Sequence, residues 1–366
     1  MCYGKDLKTF TTKVTCMRGE SIIDCVDEQI PGDKVIIKCK TGYKPVNDVH
    51  ETERVCLETG EWSGEAYECE AKCGYSSYGI PWNAPVFKNK LPICGGTIIS
   101  GKISFGTITF IIKLIRNFTT FFLKFPEFIV LSAASCFVEK TFNGIEKLEL
   151  TDYDVAVGKY VRDLDIRESA QFFKLRNIFI QKNYAGYEQQ YDANYAVLTL
   201  DKPIIYTYNI FPICIELNPI TVEQKSLPSN DAQGIVAGFG YTESKGSPAY
   251  HLQQIYLPLI SDEQCKAKAS KELLQYIKND KFCAGYDTGS KGLCVGDDGG
   301  SIVFPRIVEE KRFYFIYGIA SNTSSLYNKG TCDLDVYSLF TNVLHYAEEI
   351  RAVVTNSKSL FVNFIN

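Results

Sequence analysis

From residue 73 onward the apolar positions fall into short runs broken by turn formers. Tyr153-Asp154-Val155-Ala156-Val157-Gly158, Tyr195-Ala196-Val197-Leu198-Thr199-Leu200 and Gly234-Ile235-Val236-Ala237-Gly238 are examples. Brief runs rich in β-branched and aromatic residues, bounded by Gly, Pro, Asn and Asp, read as strands. Their repetition predicts an all-β barrel or sandwich. Near the end, Val343-Leu344-His345-Tyr346-Ala347-Glu348-Glu349-Ile350 places apolar residues at helical spacing and predicts a terminal helix. Residues 1–72 have a different texture, small, polar and rich in cysteine.

One stretch fits neither pattern. Gly101 to Ile129 is dense in Phe and Ile, as in Ile108-Thr109-Phe110-Ile111-Ile112. Lys113, Arg116 and Lys124 interrupt it, so it lacks the run of about 20 apolar residues that spans a bilayer, and no membrane span is expected.

Composition narrows the class. A chain of 366 residues suggests two domains, and 45% apolar content is enough for a core. A net charge of −4 with no basic block argues against a nucleic-acid partner. Fourteen cysteines, six of them within the first 69 residues, read as a disulfide framework and an oxidising, extracellular compartment. A zinc site is the alternative, but no CxxC pair occurs and there are only three histidines, so neither metal nor cofactor is expected. Met1-Cys2-Tyr3-Gly4-Lys5-Asp6 has no apolar signal core, so secretion calls for an upstream segment; the cysteines outweigh the absent leader. Asn117 and Asn322 head Asn-x-Ser/Thr glycosylation triplets.

In the first segment, Gly32-Asp33-Lys34-Val35 to Cys39, Gly42-Tyr43, Cys56, Gly60, Trp62 and Cys69 together resemble a sushi (complement control protein) module. The resemblance implies Cys39–Cys69 and pairs Cys56 with an earlier cysteine. The expected choice is Cys2–Cys56, with Cys16–Cys25 as an extra loop bridge, although six cysteines admit other connectivities. A module this small buries too little surface to be stable without such bridges. Trp62 is read as a core residue.

The remainder resembles the chymotrypsin/trypsin family of serine proteases. The matching blocks are Cys94-Gly95-Gly96-Thr97-Ile98-Ile99-Ser100, Leu131-Ser132-Ala133-Ala134-Ser135-Cys136, Pro212-Ile213-Cys214, Gly238-Phe239-Gly240, Lys281-Phe282-Cys283-Ala284-Gly285-Tyr286 and Cys294-Val295-Gly296-Asp297-Asp298-Gly299-Gly300. It implies a double β-barrel with a C-terminal helix behind the small module, and the bridges Cys94–Cys136, Cys265–Cys283, Cys294–Cys332 and Cys73–Cys214. The domains expected are 1–72, 73–356 with an atypical insertion at 101–129, and a tail at 357–366.

The family's chemistry needs a serine nucleophile, a histidine base and a buried aspartate that orients the histidine. The matching positions hold Ser135 for the histidine, Asn194 for the aspartate and Asp298 for the serine. A hydroxyl is no base near neutral pH. An amide cannot stabilise an imidazolium, and that change alone costs about 10⁴ in turnover in such enzymes. A carboxylate at 298 would compete for the oxyanion-hole N–H groups of Gly296 and Asp298. The only histidines, His50, His251 and His345, lie outside segments that would reach this site. The specificity-pocket positions are Gly292 at the base, where trypsin-like members carry an acid, with Ser321 and Thr323 on the wall.

Family zymogens are cut before an Ile-Val-Gly-Gly-like start, and the new ammonium pairs with the position of Asp297. Between Cys73 and Pro81 this chain has no such motif. Asp297 is therefore expected to lack its partner in a zymogen-like pocket region.

The expected function is a non-catalytic serine protease homologue: a cofactor, scaffold or decoy in an extracellular cascade of innate-immune type, binding proteases or recognition proteins. Sushi-plus-protease chains resemble the modular serine proteases of arthropod immune cascades. An active endopeptidase and a pattern- or protein-binding role carried by residues 1–72 are the alternatives. Residues 101–129 read as a translated intron, a disordered or membrane-touching loop, or a partner-binding hairpin.

Overall fold

The computed structural model describes residues 1–8, 12–40, 43–45, 49–76, 79–100, 129–141, 144–217, 227–242, 247–269, 271–287, 291–308, 310–321 and 337–356. They form two compact units. Met1–Lys72 and Tyr206–Tyr208 make the first, and Cys73–Ile205 with Asn209–Asn366 the second.

The first unit is built on an antiparallel sheet in the order Ser21–Ile23, Thr12–Arg18, Lys34–Cys39, Glu51–Val55. Alternation sets its faces: Val35 and Ile37 are buried while Lys34 and Lys38 point to solvent. The core is small, with Cys16, Val35 and Ile37 at its centre and half-buried Trp62 packed against it. Three disulfides reinforce it, Cys2–Cys56, Cys16–Cys25 and Cys39–Cys69. Inside it, buried Asp33 accepts a forked bond from Arg18 and the Ile30 N–H. The Arg18 bond holds its carboxyl below the usual range despite burial.

The second unit is all-β, two barrels that share a fourteen-stranded sheet among the described residues. In hydrogen-bonded order the first barrel runs Leu91–Cys94, Val86–Lys88, Tyr153–Val157, Gln171–Ile180, Ala196–Leu200, Ile129–Ser132, Thr97–Ser100. The second runs Lys311–Ala320, Ser301–Val308, Gln233–Gly238, Gln253–Ile260, Lys281–Ala284, Ser338–Asn342, and closes back on Lys311–Ala320. The short strand Ile213–Cys214 joins them by parallel pairing on both sides. Closure removes exposed edges, so the apolar runs face inward.

Strands Thr97–Ser100 and Ile129–Ser132 are antiparallel neighbours, with Ile98 opposite Val130. A tight turn would suffice between them, so the apolar stretch is surplus to the barrel. Residues 101–128 lie outside the described residues, as do Asn117, Asn322 and the tail 357–366. Ile129, counted with the insertion on sequence grounds, is instead the buried first residue of its strand. Among the described residues no helix is long and apolar enough to cross a membrane.

The terminal helix begins later than its apolar pattern suggests, at Ala347, and ends at Asn356. The Asn342 side chain accepts the Leu344 N–H, and Tyr346 and Ala347 close three-residue turns on Val343 and Leu344. Val343, Leu344 and Tyr346 are buried as part of that lead-in turn, which accounts for their apolar character.

Cys73–Cys214, Cys94–Cys136 and Cys265–Cys283 are formed. Cys294 is disulfide-bonded too; Cys332, the partner that the resemblance assigns to it, lies outside the described residues. Gly74, next to Cys73, has φ +64°, and its N–H and C=O bond to Pro212 and Tyr314. A Cβ there would collide with Tyr314, so glycine is required.

One polar side chain inside the first barrel's loop is fully enclosed. Lys159 donates to the Ile166 carbonyl and lies 3.5 Å from Glu168, bracing residues 158–168. Lys159→Met should cost about 1–3 kcal/mol by leaving that carbonyl unpaired. Thermal denaturation checks it, and an unchanged midpoint would show the brace to be idle.

Candidate functional site

Ser135 sits on the short 3-10 turn Ala134–Phe137, directly after the buried strand Ile129–Ser132. Asn194 immediately precedes Tyr195 and the strand Ala196–Leu200, and is completely buried. Because these two strands pair, with Ser132 opposite Ala196, the fold brings both residues together. The Ser135 N–H donates to Asn194 Oδ1 at 2.9 Å. Asn194 Nδ2 donates to Ser321 Oγ at 2.9 Å, and the Asn194 carbonyl accepts from Thr341 at 3.1 Å. The amide is thus satisfied at both ends, and the Ser321 hydroxyl acts as acceptor.

Asp298 comes from the second barrel, on the turn before strand Ser301–Val308. Its carbonyl accepts the Gly95 N–H at 2.7 Å, and Gly299 and Gly300 donate to Ala320 and Asp297. Gly299 has φ +80°, and a Cβ there would run into Ser132 and Gly95. The two barrels therefore meet backbone to backbone here, which fixes where the Asp298 side chain starts.

Tyr184, not singled out from sequence, also belongs to this region. Its hydroxyl is buried without a hydrogen-bond partner among the described residues. Burial raises its pKa, with Tyr191 and the Asp298 charge adding to the rise and the nearby Ser135 hydroxyl opposing it. No sequence signal marks it among its neighbouring tyrosines. His50, His251 and His345 are all exposed; His251 stacks edge-on to Tyr250 and His345 to Tyr346. No cluster of three or more metal-ligating side chains occurs among the described residues.

Gly292 lies beside a cleft of about 190 Å³, which Val236, Ile255, Lys291 and Asp297 also line. Ser321 is buried, and Thr323 lies outside the described residues. In place of an ammonium, Asp297 takes two backbone donors. Its Oδ1 accepts the Gly240 N–H at 2.8 Å and its Oδ2 the Cys294 N–H at 3.0 Å. Gly238 and Gly240 press against the carboxylate, and a Cβ on either would collide with it. The Cys294 donor lies three residues away in the same turn, but the Gly240 donor comes from a loop 57 residues away, which the local motif could not reveal.

Burial pushes the Asp297 carboxyl up to about 6, against the pull of the two N–H groups and Arg162. The folded chain therefore holds this proton more tightly than the unfolded chain, where a carboxyl titrates near 3.9. The resulting stability is fully present below about pH 4 and is lost as pH rises through about 6, about 3 kcal/mol in all. Thermal melts from pH 4 to 7 should show the parent losing that much relative to Asp297→Asn. Parallel curves would contradict the assigned environment.

A sequence model described as Trypsin matches residues 116–350, and one described as Sushi repeat (SCR repeat) matches residues 10–69. A Drosophila melanogaster protein, "Modular serine protease", is 24% identical over 377 aligned residues, covering 95% of this chain and 52% of that protein. The chain thus spans about half the length of that relative. Two β-barrels joined where Gly95 meets Asp298, together with a match over residues 116–350, place this chain in the trypsin family, with a sushi repeat ahead of its protease-type fold.

Proposed function

We propose that this chain is a non-catalytic serine protease homologue that works by binding other proteins. The observation that carries the reading is the bonding of Asn194. Its amide is spent on the Ser135 N–H and Ser321 Oγ, so the position that would orient a base offers no charge. Ser135 supplies no imidazole, and a carboxylate stands at 298 in place of a hydroxyl. Triad members act as a unit, so loss at all three positions removes the chemistry that makes a serine a nucleophile.

The partners proposed are proteases or recognition proteins of an extracellular cascade of innate-immune type, with this chain as cofactor, scaffold or decoy. Similarity to a modular serine protease and the extracellular type of both domains support this. Sushi repeats mediate protein interactions, and exposed Ile22 and Val26 beside the Cys16–Cys25 bridge offer apolar surface for one. The working domain limits are 1–72 and 73–356. The chain is proposed to be secreted, and to carry glycans at Asn117 and Asn322.

Incubation with a serine-directed covalent inhibitor tests the reading by intact mass. No adduct is expected. A stoichiometric adduct would establish the competing reading, an active endopeptidase.

A further inference from the structure

The loop between strands Tyr153–Val157 and Gln171–Ile180 belongs to the first barrel but is stitched to the second. The Arg162 N–H donates to the Tyr250 carbonyl at 2.7 Å and the Leu252 N–H to the Tyr160 carbonyl at 2.9 Å. Val161 and His251 form an antiparallel bridge, and the Ala249 N–H donates to the Gly240 carbonyl at 2.9 Å. The backbone that carries Arg162 is thus fixed against the segment that flanks Gly240.

From there the guanidinium reaches one particular peptide group. Arg162 Nη1 donates to the Phe239 carbonyl at 2.6 Å. The N–H of that same peptide unit, on Gly240, donates to Asp297 Oδ1 at 2.8 Å. A cation on the carbonyl of a peptide polarises it and strengthens the N–H on its other side. Charge from the first barrel therefore reaches the Asp297 carboxylate through a single peptide bond. We propose that Arg162 is a positioning residue for the Cys294–Asp298 turn, supplying from within the uncut chain the positive charge that protease zymogens obtain from a newly cut N-terminus. The turn is then held in place without cleavage, and whatever binds there finds it assembled.

Among the charged and titratable groups, Lys291 lines the same cleft as Asp297, and Tyr241 lies next to Arg162. Both must be followed as controls. The inference holds whether or not the chain cleaves peptides, since its readouts do not involve turnover.

The test uses the full, uncut chain with ¹³C-labelled aspartate. Asp297→Asn identifies the Asp297 carboxyl signal, and its titration midpoint is then followed. Arg162→Gln should raise the midpoint by about 1 unit, as loss of a nearby opposite charge does, and Arg162→Lys should recover most of that shift. Amide exchange across residues 293–298 should quicken by about tenfold in Arg162→Gln and much less in Arg162→Lys. Unchanged midpoint and exchange in Arg162→Gln would overturn the proposal, as would equal losses in both variants, the mark of packing alone. If Arg162→Gln does not fold, Arg162→Lys decides. A midpoint within about 0.3 unit of the parent supports the proposal, and a rise of a full unit overturns it.

Discussion

Combined Ser135→His, Asn194→Asp and Asp298→Ser changes should make this chain react with a serine-directed covalent inhibitor, at least about 10⁴ times faster than Asp298→Ser alone. The surroundings of Asn194 support such a gain. Its Oδ1 accepts from the Ser135 N–H, and its Nδ2 donates to a hydroxyl. A hydroxyl rotates, so Ser321 can turn from acceptor to donor and serve a carboxylate equally well. The backbone around 298 is held by main-chain bonds, from the Gly95 N–H to the Asp298 carbonyl, from the Gly299 N–H to Ala320 and from the Gly300 N–H to Asp297. Exchange of the side chain therefore leaves its starting point in place. Asp298→Ser alone would provide a hydroxyl with neither base nor orienting charge, and should stay unlabelled on the same timescale. Labelling of the single variant as fast as the combined one would show that the site reacts without a triad, against the proposed function.

Lys281→Met should cost about 3–5 kcal/mol in folding stability, because it strands a buried carboxylate. Lys281 and Asp280 are both nearly inaccessible and lie 2.6 Å apart. Asp280 Oδ2 also accepts the Ala193 N–H and the Tyr346 hydroxyl, while Lys281 donates to the Tyr191 carbonyl. Burial alone would push the Asp280 carboxyl up, but Lys281 foremost, with those donors, brings it below the usual range. Without Lys281, burial prevails and Asp280 takes up a proton more readily. The deficit should accordingly shrink as the pH falls from 7 toward 4, and Asp280→Asn added to Lys281→Met should restore part of the loss. Denaturant unfolding across pH reads both effects. A loss below about 1 kcal/mol at pH 7 would mean that the pair is not the anchor described.

That anchor bears on the candidate site. Gln190, Tyr191 and Ala193 all have left-handed φ values of 54–58° although none is glycine. Such backbone costs about 1–2 kcal/mol per residue and persists only where surrounding contacts dictate it. The buried pair grips this stretch just before Asn194. In the Lys281→Met variant the Ser135–Asn194 bond should therefore loosen along with the fold.

Much of the architecture was readable along the chain, because strand formation depends on neighbours in sequence. The runs at 153–158, 195–200 and 234–238 became Tyr153–Val157, Ala196–Leu200 and Gln233–Gly238, each displaced by a residue at most at either end. The helix start was misplaced by four residues because buried turns and buried helices share an apolar pattern. Ser135 and Asp298 could be located because each sits in a cysteine- or glycine-anchored block, and Asn194 because it opens the apolar run at 195–200.

Their partners could not be located in this way. Arg162 lies 77 residues from the carbonyl that it meets, Ala193 lies 87 from Asp280, and Tyr184 stands among similar tyrosines in a polar loop. None of these sits on a periodic element, so no spacing pointed to them. By itself the sequence determined the strands, the cysteine-rich module and the residue types at the degenerate positions, all matters of local covalent order and hydrophobic pattern. Only the tertiary structure decided that Asp297 has donors and a distant cation, since a buried charge takes its partners from whatever backbone the closed barrels bring beside it.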